Sequence, residues 1–93
     1  MNSIDKKLET LGITIPDSPS PAANYIPYVI SGNLVFIAGQ VPFENGKINY
    51  TGKVGKDIDI NKAKEVSKIC ALNVISVLKN AVNGDLSKVK SCI

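Results

Sequence analysis

Few of the side chains in this sequence could do chemistry, and their types narrow the choice of reaction. All eleven basic residues are lysines, so the 93 residues contain neither Arg nor His. Without His, Ser-His-Asp and Cys-His nucleophile systems and His-containing zinc sites are excluded within this sequence. Without Arg, no side chain offers the fork that grips a carboxylate or phosphate through two parallel hydrogen bonds. Any catalysis would therefore depend on Lys, Tyr, Cys, carboxylates, hydroxyls and backbone amides.

The segment Ala38-Gly39-Gln40 is the first candidate for a binding site. It ends an apolar run within NLVFIAGQVP, residues 33–42. Gly39 would let a ligand approach the backbone closely, and Gln40 offers an amide. Tyr25 and Tyr28 are further candidates, although each is most simply an amphipathic strand residue with its hydroxyl at the surface.

Three motifs in the middle of the chain fail as known binding loops. Asp57-Ile58-Asp59 begins like a calcium loop, but Lys62 and Lys68 stand where that loop needs Gly and Glu. Residues 52–55 match the GxxG of RNA-binding KH modules, but that loop joins two helices, and here a hairpin precedes it. Lys56 lacks the following Ser or Thr of a phosphate-binding P-loop. Lys47, Lys53 and Lys56 could form a nucleic-acid surface, but a net charge of +3 without interleaved aromatic residues favours ordinary solvated lysines.

The elements that must position these residues follow from local patterns. Ser3 and Gly12 mark the ends of a short helix, and residues 13–24 form an extended lead-in anchored by Ile13 and Ile15. Residues 25–39 predict a hairpin turning at Gly32-Asn33. Because both faces of its second strand are apolar, that strand is expected to be central and covered on both sides. Asn45-Gly46 predicts a second hairpin.

One long helix dominates the second half of the sequence. Asp59 is its predicted cap, and it ends near residues 80–83 with Gly84 beyond. Its predicted core stripe has helical spacing: Ala63, Val66, Cys70, Val74, Val77 and Ala81, widened by Ile69, Leu78 and Val82. A turn at 85–88 and a strand beginning at Val89 follow. The expected fold is α+β, with this helix packed on a sheet built from the first hairpin, the 41–50 ribbon and the Val89 strand.

Composition places the chain among globular proteins, with 44% hydrophobic and 20% charged residues. No signal peptide or membrane-length apolar run is present, so a cytoplasmic protein that does not contact membranes is expected. Cys70 and Cys92 are then expected to be small buried hydrophobic residues in a reducing compartment. Neither a metal nor a cofactor is expected.

The sequence as a whole resembles the RidA/YjgF family, also called L-PSP endoribonuclease-like. The resemblance is carried, in order, by LGITIPDSPSPAANYIPYVISGNLVFIAGQVP, INYTGKVGKD, ICALNVISVLK and NGDLSKVK. It is closest to the longer branch of the family and covers nearly all 93 residues. It implies a two-layer, chorismate mutase-like fold, and it identifies the chain as a single domain, 1–93, incomplete at its C-terminus.

The resemblance also implies a function. Family members form homotrimers with ligand clefts between subunits, and they hydrolyse reactive enamines or imines or act as ribonucleases or translation inhibitors. Tyr25, Ala38, Gly39 and Gln40 align with the pocket, with Tyr28 as the alternative to Tyr25 if a gap is allowed. Ala38 replaces the family's serine, and the family's substrate-gripping Arg aligns beyond position 93. The expectation is a small-molecule-binding relative of imine deaminases that is inactive as this chain.

Overall fold

The computed structural model describes residues 3–17, 26–45 and 47–93. Helix α1 is Ser3–Thr10, strands β1 and β2 are Tyr28–Ser31 and Leu34–Ile37, and strands β3 and β4 are Phe43–Glu44 and Lys47–Ile48. Helix α2 is Ile60–Ala81, and a 3₁₀ turn at Leu86–Lys88 follows it. The α+β class predicted from the sequence is confirmed.

The first hairpin has the predicted turn. Ser31 pairs with Leu34, so the loop has only two residues, and Gly32 takes a positive φ of 58°. A glycine at the first loop position suits the tight turns whose twist matches that of the strands. In the second hairpin, Glu44 pairs with Lys47 and Asn45 has a φ of 54°, while Gly46 lies outside the described residues.

The register of the first hairpin defines two faces. Cross-strand partners share a face, so Tyr28, Ile30, Val35 and Ile37 lie on one side and Val29, Ser31, Leu34 and Phe36 on the other. Tyr28, Val35 and Ile37 are half-buried against α2. Val29, Leu34 and Phe36 are 53%, 60% and 58% exposed, and we call these three residues the outer hairpin face.

Helix α2 begins and ends as the sequence predicts. The Asp59 side chain accepts a hydrogen bond of 2.8 Å from the backbone N–H of Lys62, satisfying one of the free amides at the helix start. At the other end, Asn83 and Gly84 take positive φ values, and the N–H of Gly84 donates to the Lys79 carbonyl. These are local devices, and each acts within five residues of its own position.

The buried side of α2 differs in part from the predicted stripe. Val77 and Ala81 are buried as expected, but Val74 is 37% exposed, and the polar residues Asn73 and Ser76 are buried as deeply as Val77. The Ser76 hydroxyl donates to the Pro16 carbonyl at 2.6 Å and so ties the extended lead-in to the helix. Ile13 and Ile15, the predicted anchors, are half-buried; residues 18–24 lie outside the described part.

Three expectations about tertiary structure are wrong. Among the described residues, β2 pairs with β1 alone, and the outer hairpin face is exposed, so β2 is an edge strand and not a covered central one. The two hairpins form separate two-stranded sheets, and residues 89–93 form no strand because no described strand lies beside them to share hydrogen bonds. Cys70 is half-buried, but Cys92 is exposed; both thiols are free.

Candidate functional site

The segment Ala38-Gly39-Gln40 leaves β2 along the line of the hairpin. The N–H of Ala38 donates to the Pro27 carbonyl at 3.0 Å, which extends the β1–β2 ladder by one residue. Alternation along the strand then places Ala38 beside Phe36 on the side of the outer hairpin face. Ala38 and Gln40 are half-buried, and Gly39 is exposed. The predicted site residues that are described therefore follow one another at the open end of the hairpin.

The side chain of Gln40 is held in place by its own backbone. Its Nε2 donates to the Ala38 carbonyl at 3.1 Å, which leaves the amide oxygen as an acceptor for an incoming group. At Gly39, no described atom lies within 4 Å of the point where a Cβ would stand. Packing among the described residues does not require a glycine there, so the bare backbone is a surface that a ligand could approach.

The chain beyond Gln40 is fixed by a residue that sequence reasoning missed. Asn73, 2% exposed on α2, donates through Nδ2 to the carbonyls of Val41 and Phe43 at 3.1 and 3.0 Å. The N–H of Phe43 also donates to the Val41 carbonyl, which closes a tight turn around Pro42. The side-chain amide of Asn73 thus fixes the position of the backbone that follows Gln40. The available signal was the helical spacing of Asn73 and Ser76 with Val77 and Ala81.

The structure describes only one of the two candidate tyrosines. Tyr25 lies outside the described residues. Tyr28 pairs with Ile37 on the face that α2 covers, opposite to Ala38. Tyr28 therefore faces away from the side of the hairpin on which Ala38 lies.

A concave region lies at the start of α2, away from the Ala38-Gly39-Gln40 segment. It is an open cleft of about 400 Å³ lined by Asn49, Tyr50, Thr51, Asp57, Ile58, Asp59 and Lys62. Asp57 accepts from the N–H of Lys53 at 2.9 Å, and Asp59 caps the helix, so both carboxylates serve the backbone. Among the described residues, no three His, Cys, Asp or Glu side chains are grouped to hold a metal ion.

Lys62 carries the one clear electrostatic perturbation of this cleft. Its Nζ lies 3.0 Å from a Glu65 carboxylate oxygen and 4.9 Å from the centre of the Tyr50 ring. The hydrogen bond and charge of Glu65, with a smaller contribution from Tyr50, raise the pKa of Lys62 above its ordinary value. A lysine whose proton is held more tightly is poorly suited to act as a nucleophile or base near neutral pH.

Comparison with known proteins places this architecture in a family. The sequence profile described as "YjgF/chorismate mutase-like, putative endoribonuclease" matches residues 5–93. The observed α+β structure, with helix α2 against the first hairpin, is consistent with that fold. The chain belongs to the YjgF/chorismate mutase-like family.

Individual relatives agree with this assignment. Protein TCP17 of Trypanosoma cruzi is 35% identical over 86 residues, which are 92% of this chain and 53% of that protein. The crystal structure of Atu1372 from Agrobacterium tumefaciens, whose function is unknown, superposes with a TM-score of 0.79 at 46% identity, covering 92% of this chain and 52% of that one. The crystal structure of a "putative endoribonuclease" from Shewanella oneidensis superposes with a TM-score of 0.87 at 32% identity, covering 96% of this chain and 58% of that one. The chain therefore spans about half the length of these relatives.

Within the described residues, no helix combines the length and apolar character that crossing a bilayer requires.

Proposed function

We propose that this chain supplies one wall of a YjgF-type small-molecule site and is related to the imine and enamine deaminases. The observation that carries the proposal is the segment Ala38-Gly39-Gln40. It combines an exposed backbone at Gly39 with a fixed amide at Gln40, and Asn73 holds the chain that follows it. Tyr25 completes the proposed set of ligand-binding residues. Because this surface is open on the side of the outer hairpin face, a second subunit in a homotrimer would supply the opposite wall.

The same residues argue against deamination by this chain alone. Turnover of an anionic imine needs a fixed cation at the substrate and a group that activates water. The chain has no Arg or His, and no lysine lies within residues 26–41. Ala38 also lacks the hydroxyl of the family's serine. We therefore assign ligand binding to these 93 residues and place the catalytic groups outside them, in a cytoplasmic protein that needs no metal or cofactor.

A coupled assay tests both parts of this proposal. An amino-acid oxidase generates imine, and its decay is followed with and without the chain; we expect the same decay as in buffer. Binding is measured separately by titrating 2-oxo acids, stable analogues of the imines, against ¹⁵N-labelled chain. Shifts confined to the amides of 38–40 are expected, and Gln40→Ala should abolish them while the exposed Ser67→Ala does not. Accelerated imine decay, or shifts scattered over α2, would overturn the proposal.

Ribonuclease or RNA-binding activity is the second candidate. It is favoured by the family's name and by the description of the Shewanella protein. Lys47, Lys53 and Lys56 are all exposed on the segment that leads into α2. Binding through phosphates would weaken steeply with salt, because each neutralised phosphate releases counterions. A flat titration of labelled single-stranded RNA at low salt would exclude this candidate. If binding occurs, replacing these three lysines by Ala should weaken it more than replacing Lys64 and Lys68.

A further inference from the structure

The side-chain amide of Gln40 has a fixed orientation. Its neighbour is the carbonyl oxygen of Ala38, 3.1 Å away, and a carbonyl can only accept a hydrogen bond. The NH₂ end of the amide must therefore face Ala38, and the amide oxygen, Oε1, is directed away from it. Among the described residues, no group donates to Oε1, so this acceptor is available to a ligand.

The backbone on both sides of Gln40 is held by hydrogen bonds. Before it, the N–H of Ala38 donates to the Pro27 carbonyl. After it, the carbonyl of Val41 accepts from the buried side chain of Asn73. Gln40 is itself half-buried and bonded to its own backbone, so its side chain is restricted before a ligand arrives. A group restricted in this way loses little conformational freedom on binding, which favours its use in recognition.

The surroundings of Gln40 along the chain are uncharged. Residues 26–43 contain no Asp, Glu, Lys or Arg, and the first charged side chain after them is Glu44. Helix α2, with its lysines, packs against the face of the hairpin opposite to Ala38. Recognition at Gln40 therefore depends on hydrogen bonding and not on charge, and the side-chain atom that it offers is an acceptor.

We propose that Gln40 is a specificity-determining residue: its Oε1 accepts a hydrogen bond from the ligand. The site then favours ligands that carry an N–H donor, such as primary amides, over isosteres without one. A methyl group or an oxygen in the same position would displace the hydration of Oε1 and give no hydrogen bond in return. The inference rests on the proposed ligand site and adds which group of the ligand contacts it.

Oxamate and pyruvate test this inference because they differ in one group. Both are anions of nearly the same size and shape, but oxamate has an NH₂ where pyruvate has a methyl group. Each is titrated against ¹⁵N-labelled chain, and its affinity is taken from the shifts at the amides of 38–40. We expect oxamate to bind about three- to tenfold more tightly, as one additional hydrogen bond would give.

The side chain of Gln40 can also be observed directly, because Gln40 is the only glutamine in the sequence. In chain labelled with ¹³C-glutamine, the side-chain carbonyl carbon gives a single resonance. Oxamate should shift this resonance, since a donor then bonds to the attached oxygen, and pyruvate should shift it much less. This measurement reports the contact itself and does not depend on comparing two affinities.

A pair of variants provides the matched control. Gln40→Met nearly keeps the length of the side chain but removes the amide, so the preference for oxamate should disappear. Asn61→Leu replaces an exposed amide on α2 by an apolar group of similar size, and the preference should remain unchanged. If Gln40→Met does not fold, the two ligands and the Gln40 resonance still decide the question in the unaltered chain.

Equal binding of the two ligands, or tighter binding of pyruvate, would overturn this inference and leave the proposed function standing. The same holds if the Gln40 resonance stays in place while the amides of 38–40 respond to oxamate, or if the preference survives Gln40→Met. If neither ligand shifts those amides, the proposed function fails, and this inference fails with it.

Discussion

The two sides of the first hairpin differ in their contacts: one packs against helix α2, and the other is exposed. On the side of α2, two buried polar side chains each reach a distant backbone carbonyl: Asn73 bonds the chain after β2, and Ser76 bonds the lead-in before β1. On the outer hairpin face, three large apolar residues are more than half exposed. Among the described residues, the helix side is thus held by specific hydrogen bonds, whereas the outer hairpin face makes few contacts.

The strongest test of this contrast is Asn73→Ala. The change removes two hydrogen bonds and leaves the carbonyls of Val41 and Phe43 without that partner. We expect a loss of about 2–3 kcal/mol in the free energy of unfolding, measured by urea denaturation. The exposed Ser67→Ala on the same helix should change stability by less than about 0.5 kcal/mol. Similar values for both variants would show that the helix layer is not anchored through Asn73.

The second test concerns the loop that leads into α2. A Cβ at Gly52 would stand 2.5 Å from the Cβ of Asp57, and Gly52 has a φ of +130°. Gly52→Ala should therefore cost about 1–3 kcal/mol through steric conflict and backbone strain. Gly55 also has a positive φ but meets no described atom, so Gly55→Ala should cost less. The difference between the melting temperatures of Gly52→Ala and Gly55→Ala measures the effect of the contact with Asp57. Equal melting temperatures would mean that the loop shifts to accommodate the added methyl group.

The third test applies to the outer hairpin face. Phe36→Ser should change the free energy of unfolding by no more than about 0.5 kcal/mol, because the side chain has little contact to lose. Solubility should rise, since an exposed apolar patch is removed. The matched change on the helix side is Val77→Ala, at a residue 3% exposed, which should cost about 2 kcal/mol. An equally large loss at Phe36 would show that this face is covered in solution.

The smallest expected effect is electrostatic. Glu65→Gln removes the largest causes of the raised pKa of Lys62, so that pKa should fall toward its ordinary value of 10.5. Because the folded-state pKa is raised, any stabilisation is fully present below pH 10.5 and disappears as the pH rises through the folded-state pKa. An NMR titration of Nζ checks this, with Glu9→Gln on α1 as control. An unchanged pKa would mean that the ion pair does not persist in water.

Local elements could be predicted from the sequence because their causes are local. The turn at Gly32, the hairpin at Asn45, the cap at Asp59 and the helix end before Gly84 each depend on neighbours within a few residues. The role of Asn73 could not be predicted in the same way, because its partners lie 30 and 32 residues away. Polar residues in a helix are ordinarily read as exposed, and only the fold shows which carbonyls they reach.

The sequence by itself determined the class of fold, the two hairpins, the two helices and the family, since periodicity, turn chemistry and motif order are written along the chain. It also placed Ala38, Gly39 and Gln40 at the end of a strand. Tertiary structure alone decided that β2 lies at an edge, that Val89–Ile93 pairs with no described strand, and that Tyr28 faces away from Ala38. The physical reason is that a strand's hydrogen bonds and faces are completed by other segments. Composition shows what a strand can bury, and only the assembled fold shows what is there to cover it.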